Sequence, residues 1–256
     1  MYVRSDLHKP GSFLLVLSIP FPRTQQTFPM ANTPFSHEYS FVTHGSTTIS
    51  ALYTNISASA DAWVDKAEGF LAGSKLKFVG VDLEFSSKGY RQKASMLQLC
   101  VGIDCLVYHI FCVADEISVK FNSFLRSWEY KFVGFDTSSD TTMLRRSGLY
   151  IFNHIDIQSI WKDPDLIKLR RDGTPSKQGM KDVAGVLIHP SYYEMKGGMT
   201  DADHQLWHKA PLSEKHLKYA AKDGYVSYEL YKILDFYERG CYKVMKRKEQ
   251  EPLRKW

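Results

Sequence analysis

The chain of 256 residues is 44% hydrophobic and 14% aromatic, and its formal net charge is +5. These apolar side chains suffice for one globular domain with a sizeable core, and no stretch is apolar for long enough to span a bilayer. We therefore expect no membrane partner, whereas the positive charge is compatible with an acidic partner such as nucleic acid.

Three parts are expected along the chain: a disordered extension over 1–36, a single domain over 37–240 and a basic tail over 241–256. The extension contains an apolar segment, FLLVLSIPF at 13–21, that faintly resembles the centre of a signal peptide but is interrupted by prolines. Because MANTPF is typical of a protein start, residues 1–29 are expected to be a poorly ordered extension or a consequence of start-codon choice.

The hydrophobic patterns predict a mixed α/β domain. A β-like segment with a turn at His44–Gly45 covers 37–55, and an amphipathic helix covers 58–73. The elements predicted after these are strands over 77–85, 94–102 and 105–111, a helix over 115–127, a strand over 131–136, a helix over 141–146, a short strand or helix over 154–161, a helix over 177–188, a loop over 190–211 and a helix over 212–237. Turns separate the second and third strands of the first group, so we expect an antiparallel meander there.

Two carboxylates share one face of the predicted strand KFVGVDLEF. Because successive side chains of a strand point to opposite faces, Asp82 and Glu84 lie side by side. A partly buried acidic pair needs compensating positive charge, which a hard cation with oxygen ligands can supply. The alternative is an exposed pair at a strand end, and this strand taken alone favours it.

A third carboxylate, Asp140, lies in the first turn of the predicted short helix. An acid at this place can complement the helix dipole, which is worth about 0.3–1 kcal/mol. Without the other motifs, that structural role is the preferred interpretation.

The long helix near the end of the domain adds an aspartate and a tyrosine on its inward stripe. Tyr219 and Asp223 are one turn apart, and the stripe continues with apolar residues over 226–233. Tyr219 could be a core tyrosine with a satisfied hydroxyl, which is common. Asp223 is harder to explain structurally, because aspartate is seldom fully buried without a partner.

The four cysteines form no C-x-x-C pair: Cys100, Cys105, Cys112 and Cys241. Three of them lie in apolar strand-like segments, so reduced core cysteines are expected. His204 and His208 have i, i+4 spacing, but their segment is loop-like and lacks a cysteine pair, so the pattern does not favour zinc.

Taken in order, Asp82-x-Glu84, Asp140 and Tyr219-x-x-x-Asp223 resemble the three motifs of the DEDDy 3′–5′ exonucleases. The similarity is strongest to the Werner-syndrome-type exonuclease domain, and LQLCVG at 97–102 and WHKAPLSEKHLKYAAKDGY at 207–225 extend it over most of the chain. The histidine branch of the superfamily has its general base at the position of Lys218, so Tyr219 indicates the tyrosine branch. The resemblance implies an α/β fold of the RNase H-like (DnaQ-like) type: a mixed sheet, antiparallel in its first three strands and then parallel, flanked by helices.

The resemblance also implies the chemistry. Two Mg²⁺ or Mn²⁺ ions would be held by Asp82, Glu84, Asp140 and Asp223, and Tyr219 would orient the attacking water. The expected reaction is hydrolysis of DNA or RNA from the 3′ end with release of nucleoside 5′-monophosphates. The chain is similar to short stand-alone plant proteins, some of which resemble ring-forming exoribonucleases. That likeness implies a homo-oligomeric ring, partners in RNA silencing or DNA repair, and a location in the nucleus or the cytoplasm.

Three further residues are candidate nucleic-acid contacts. Lys93 could contact a phosphate, and Trp207 or His208, just before the motif helix, could contact the terminal base. For Trp207, a packing role is an equal alternative. Two departures from the family pattern put substrate grip and efficiency in doubt: Thr142 replaces an aromatic residue, and Asp136 replaces a glycine.

Two other functions remain open from the sequence. One is an inactive or catalytically weak exonuclease-fold protein that serves as a nucleic-acid-binding or protein-binding module. The other is an RNase H-like nuclease that cuts internally. The five motif residues argue against the first, and only the pattern of products separates the second from an exonuclease.

Overall fold

The computed structural model describes residues 33–85, 92–160 and 178–238. The predicted extension is outside the described residues up to position 32, and so are the predicted tail and Cys241. The described cysteines, Cys100, Cys105 and Cys112, are free and buried. Among the helices described, none is both long and apolar enough to cross a membrane.

Among the residues that the structure describes, seven strands form one mixed sheet. They are β1 (Ser36–His44), β2 (Thr47–Thr54), β3 (Phe78–Phe85), β4 (Ala94–Val101), β5 (Asp104–Tyr108), β6 (Lys131–Gly134) and β7 (His154–Asp156). Their order across the sheet is β1-β2-β5-β4-β3-β6-β7. The β3-β4-β5 meander is antiparallel, and β6 and β7 continue the sheet parallel to β3. The predicted fold class is confirmed, including the change from antiparallel to parallel pairing.

Seven α-helices accompany the sheet in the described part of the chain. They are α1 (Ser57–Ala72), α2 (Val119–Leu125), α3 (Asp140–Arg146), α4 (Ile157–Ile160), α5 (Met180–Leu187), α6 (Asp201–His204) and α7 (Glu214–Glu238). Short 3₁₀ turns lie at Ile110–Cys112 and Pro190–Glu194.

Several predicted boundaries were wrong for local reasons. The helix predicted from 115 begins at Val119, because the Ser118 side chain accepts a hydrogen bond from the Phe121 N–H and so caps it. The strand predicted to 136 ends at Gly134, and Asp136 adopts a φ of 55°. The segment over 190–211, predicted to be a loop, contains a 3₁₀ turn and α6.

Helix α7 lies directly on the centre of the sheet because two glycines allow a close approach. A Cβ on Gly80 of β3 would lie 2.3 Å from the carbonyl oxygen of Gly224, so only glycine fits there. A Cβ on Gly224 would in turn meet the Cβ of Gln98 on β4 at 3.3 Å. Gly80 is on the same strand face as Asp82 and Glu84. The close contact therefore brings the N-terminal half of α7 against the two acids.

Candidate active site

Three of the predicted acids converge where β3 meets α7. Asp82, Glu84 and Asp223 each offer a carboxylate oxygen, and these oxygens lie within 4.8 Å of one another. Asp82 and Glu84 are half-buried, whereas Asp223 is only 2% exposed. Alternation along β3 and the Gly80–Gly224 contact together produce this arrangement.

Burial raises the pKa of each acid in the cluster, so a bound cation would stabilise the charged carboxylates. Burial raises the pKa of Asp82 well above its usual value, and the charges of Asp223 and Glu84 raise it further. Burial followed by repulsion from Asp223 raises the pKa of Glu84 to about 8. Burial raises the pKa of Asp223 too, against the opposing charge of Lys196. Three carboxylates packed in this way repel one another unless positive charge lies between them.

Asp140 lies near this cluster but outside the group of three. It occupies the first turn of α3, is 7% exposed, and its Oδ1 accepts a hydrogen bond of 3.4 Å from the Ser139 hydroxyl. Burial is the main cause that raises its pKa to about 7, and the charges of Asp136 and Asp156 add to it. Asp136 thus influences Asp140 electrostatically, while its own N–H donates to Asp156.

Tyr219 faces the cluster from α7, one turn before Asp223. Burial and the charge of Asp223 raise the pKa of its hydroxyl, so Tyr219 stays protonated at neutral pH. Its ring packs edge-on against His204 at a centroid distance of 5.4 Å. Lys218, at the histidine-branch position, instead forms an ion pair of 2.7 Å with Glu214 on the helix surface.

The three predicted nucleic-acid contacts differ in their burial and in their neighbours. Trp207 is only 1% exposed and its indole N–H donates to His204, which favours the packing alternative. His208 is half-buried beside Phe111. Lys93 is exposed and precedes Ala94, which pairs with Phe85 at the Glu84 end of β3.

Two residues at the site were not predicted from the sequence. Lys196 forms an ion pair with Asp223, and no local pattern around MKGGM indicates this. Gln98 pairs with Asp82 across β3 and β4, and it is fully buried. Both amide atoms of Gln98 lack a hydrogen-bond partner among the described residues.

The donor set fits a divalent metal. Hard cations such as Mg²⁺ and Mn²⁺ prefer carboxylate oxygens, and three of these oxygens converge here in a partly buried setting. A cation would also relieve the repulsion that raises the carboxylate pKa values.

A sequence model described as 3′–5′ exonuclease matches residues 62–236. The chain therefore belongs to the 3′–5′ exonuclease family and is a hydrolytic nuclease, and its fold is that of the RNase H-like exonucleases. No curated protein sequence matches the chain.

Solved structures share the fold at low sequence identity. The catalytic core of RRP6 from Trypanosoma brucei is 13% identical with a TM-score of 0.54, covering 80% of this chain and 51% of that one. Trypanosoma brucei RNase D in complex with GMP is 18% identical with a TM-score of 0.51, covering 71% and 56%. Escherichia coli RNase D, described as an exoribonuclease involved in structured RNA processing, is 18% identical with a TM-score of 0.50, covering 77% and 51%. The chain spans about half the length of these three proteins.

Proposed function

We propose that the chain removes nucleotides one at a time from the 3′ end of single-stranded or 3′-recessed nucleic acid, with two divalent cations. The observation that carries this proposal is the convergence of Asp82, Glu84 and Asp223 within 4.8 Å beside Tyr219. The family match supports the direction of degradation. Membership of the tyrosine branch and likeness to the Werner type are part of the proposal, and both rest on the motif residues.

Asp82, Glu84 and Asp223 would hold one Mg²⁺ or Mn²⁺ ion, and Asp82 with Asp140 would hold the second. Such a pair of ions supplies an activated water and stabilises the departing oxygen in phosphodiester hydrolysis. Overall, water adds to the terminal phosphorus, the bond from phosphorus to the 3′ oxygen breaks, and that oxygen takes a proton. The products are a nucleoside 5′-monophosphate and a strand with a new 3′ hydroxyl.

Tyr219 acts by position rather than as a base. Its raised pKa keeps the proton on the hydroxyl, which can therefore donate or accept a hydrogen bond but does not remove a proton at neutral pH. Edge packing against His204 and the 5.9 Å centroid contact with Trp207 fix the ring. A fixed hydroxyl beside the acids can orient the attacking water.

The ion pair between Lys196 and Asp223 favours a second candidate function. Because a lysine already neutralises part of the cluster, the fold is compatible with a metal-free module that binds nucleic acid without cutting it. Under this alternative, manganese would neither stabilise the protein nor start any cleavage.

The test is a digestion of 5′-labelled single-stranded RNA, single-stranded DNA and a 3′-recessed duplex, each with Mg²⁺ and with Mn²⁺. We expect a ladder that shortens by single nucleotides from the 3′ end. Asp82→Ala should abolish it, and Glu214→Gln, which removes an exposed charge on α7, should not. Discrete internal fragments would indicate an endonuclease, and an intact substrate under all conditions would support the binding module. The same assay decides between DNA and RNA.

A further inference from the structure

One lysine occupies a position where a cation is needed. Lys196 follows Met195, which is buried and anchors the segment after the 3₁₀ turn at Pro190–Glu194. Its ammonium group forms an ion pair with Oδ2 of Asp223 and lies 4.4 Å from the centroid of the Tyr219 ring. Lys196 therefore contacts both of the α7 residues that face the site.

The charge of Lys196 acts on all three acids of the cluster. Its ammonium lowers the pKa of Glu84 and of Asp82, against the larger raising effects of burial and of the neighbouring carboxylates. One positive charge thus partly neutralises three carboxylates.

An ammonium and a divalent cation cannot share this carboxylate without repulsion. Like charges at such short separations repel each other strongly in a partly buried site. Unlike the carboxylates, the lysine can leave, because its side chain is 36% exposed and its stem is a flexible four-carbon chain. A cation that enters the cluster is therefore expected to displace it.

We infer that Lys196 is an internal counter-ion that holds Asp223 in the metal-free protein and competes with the divalent cation for it. The inference rests on the proposed metal site and adds a residue that weakens metal binding while it stabilises Asp223 when no metal is bound. It predicts that a divalent cation must displace the Lys196 ammonium from Asp223, and that this exchange sets the metal affinity.

The experiment is a Mn²⁺ titration of the full chain by calorimetry, with melting temperatures measured with and without Mn²⁺. Lys196→Met removes the charge but keeps the length of the side chain. We expect Mn²⁺ to bind about tenfold more tightly to this variant, since a competing charge is gone. We also expect its metal-free melting temperature to fall by about 3 °C, because a buried carboxylate loses its partner, and the difference to vanish with saturating Mn²⁺.

Lys222→Met is the matched control. Lys222 is half-buried and immediately precedes Asp223, but no ion pair joins it to Asp223 among the described residues. It lowers the pKa of Asp223 only through its charge, so the control measures the long-range effect without the direct contact. Its change in Mn²⁺ affinity should be clearly smaller than that of Lys196→Met.

Equal or weaker Mn²⁺ binding by Lys196→Met would overturn the inference, as would equal effects of the two variants. If Lys196→Met does not fold without metal, Lys196→Gln and refolding in the presence of Mn²⁺ provide the same comparison.

The wild-type protein separates this inference from the proposed function. If wild-type protein binds no Mn²⁺ and trims no strand, the proposed function fails. If it does both and Lys196→Met binds Mn²⁺ as the wild type does, only the role of Lys196 fails.

Discussion

At the scale of single residues, burial and mutual repulsion explain why the site carries unusual acids. Asp82, Glu84 and Asp223 each have a raised pKa, and in each case burial is the largest cause. A folded protein keeps such a cluster if the acids take up protons or if a cation compensates their charge, whether that cation is a metal or Lys196. The candidate site is thus built from groups whose charged forms would destabilise the fold if they had no partner.

The role proposed for Tyr219 leads to a prediction about its hydroxyl alone. Tyr219→Phe should lower the turnover number for 3′-nucleotide release by about 100-fold, because the water loses a positioning hydrogen bond. The Mn²⁺ affinity should stay within twofold, because no carboxylate is removed. Steady-state kinetics and Mn²⁺ calorimetry check the two parts. Tyr150→Phe, at an exposed tyrosine, is the control, and full turnover by Tyr219→Phe would contradict the assignment.

Residue patterns predicted part of this site and missed the rest for a physical reason. The period of two in β3 and of 3.6 in α7 encodes which side chains share a face, so Asp82, Glu84, Tyr219 and Asp223 could be found from the sequence. Lys196 could not, because its partner is 27 positions away and its segment has no regular period. Burial of Trp207 likewise depends on tertiary packing around α6 and α7, which no local pattern encodes.

At the scale of elements, the contact of α7 with β3 positions the site. Gly80 and Gly224 let the helix backbone touch the strand, and this contact sets the distance of Asp223 from Asp82. The sequence predicted both elements but not their close approach. A glycine in a strand can mark a bulge, a bend or a close approach of another backbone, and only the folded structure shows that Gly80 lies under α7.

A methyl group at Gly80 should therefore separate the two elements. Gly80→Ala would place a Cβ 2.3 Å from a backbone oxygen that cannot move alone, so the free energy of unfolding should fall by about 3 kcal/mol. Urea denaturation measures this change. Gly69→Ala on α1 is the control, because nothing lies within 4 Å of its added Cβ and alanine favours a helix. Equal stability of Gly80→Ala and the wild type would show that α7 is not held by this contact.

At the scale of the whole molecule, a buried hydrogen-bond chain joins three distant parts of the fold. The Leu212 N–H donates to the Tyr53 hydroxyl at 3.0 Å, and that hydroxyl lies 2.9 Å from Nδ1 of His109. Tyr53 belongs to β2, His109 directly follows β5, and Leu212 lies in the segment that leads into α7. The order of strands across the sheet brings them together, and the sequence patterns did not predict that β2 would pair with β5.

His109 should make the stability of the protein depend on pH. Burial lowers its pKa to about 4 from the usual 6.5, so the unfolded chain binds a proton before the folded one does. Stability from this residue is complete above pH 6.5 and is lost as the pH falls toward 4, by about 2 kcal/mol at pH 4.5. Urea denaturation of the wild type and of His109→Gln at pH 7 and pH 4.5 isolates this loss, because the raised pKa values of the buried acids change the stability of both proteins in the opposite direction. His109→Gln should lose correspondingly less than the wild type between the two values, and equal losses would contradict the prediction.

The most direct test of the central claim is the release of a 3′-terminal label from a single strand in the presence of Mn²⁺. Wild-type protein and Glu214→Gln should release the label as a nucleoside 5′-monophosphate in the first turnover. Asp82→Asn, which keeps the size of the side chain and removes its charge, should slow that release by at least about 1,000-fold. Release of the label within longer oligonucleotides, or undiminished release by Asp82→Asn, would contradict the account.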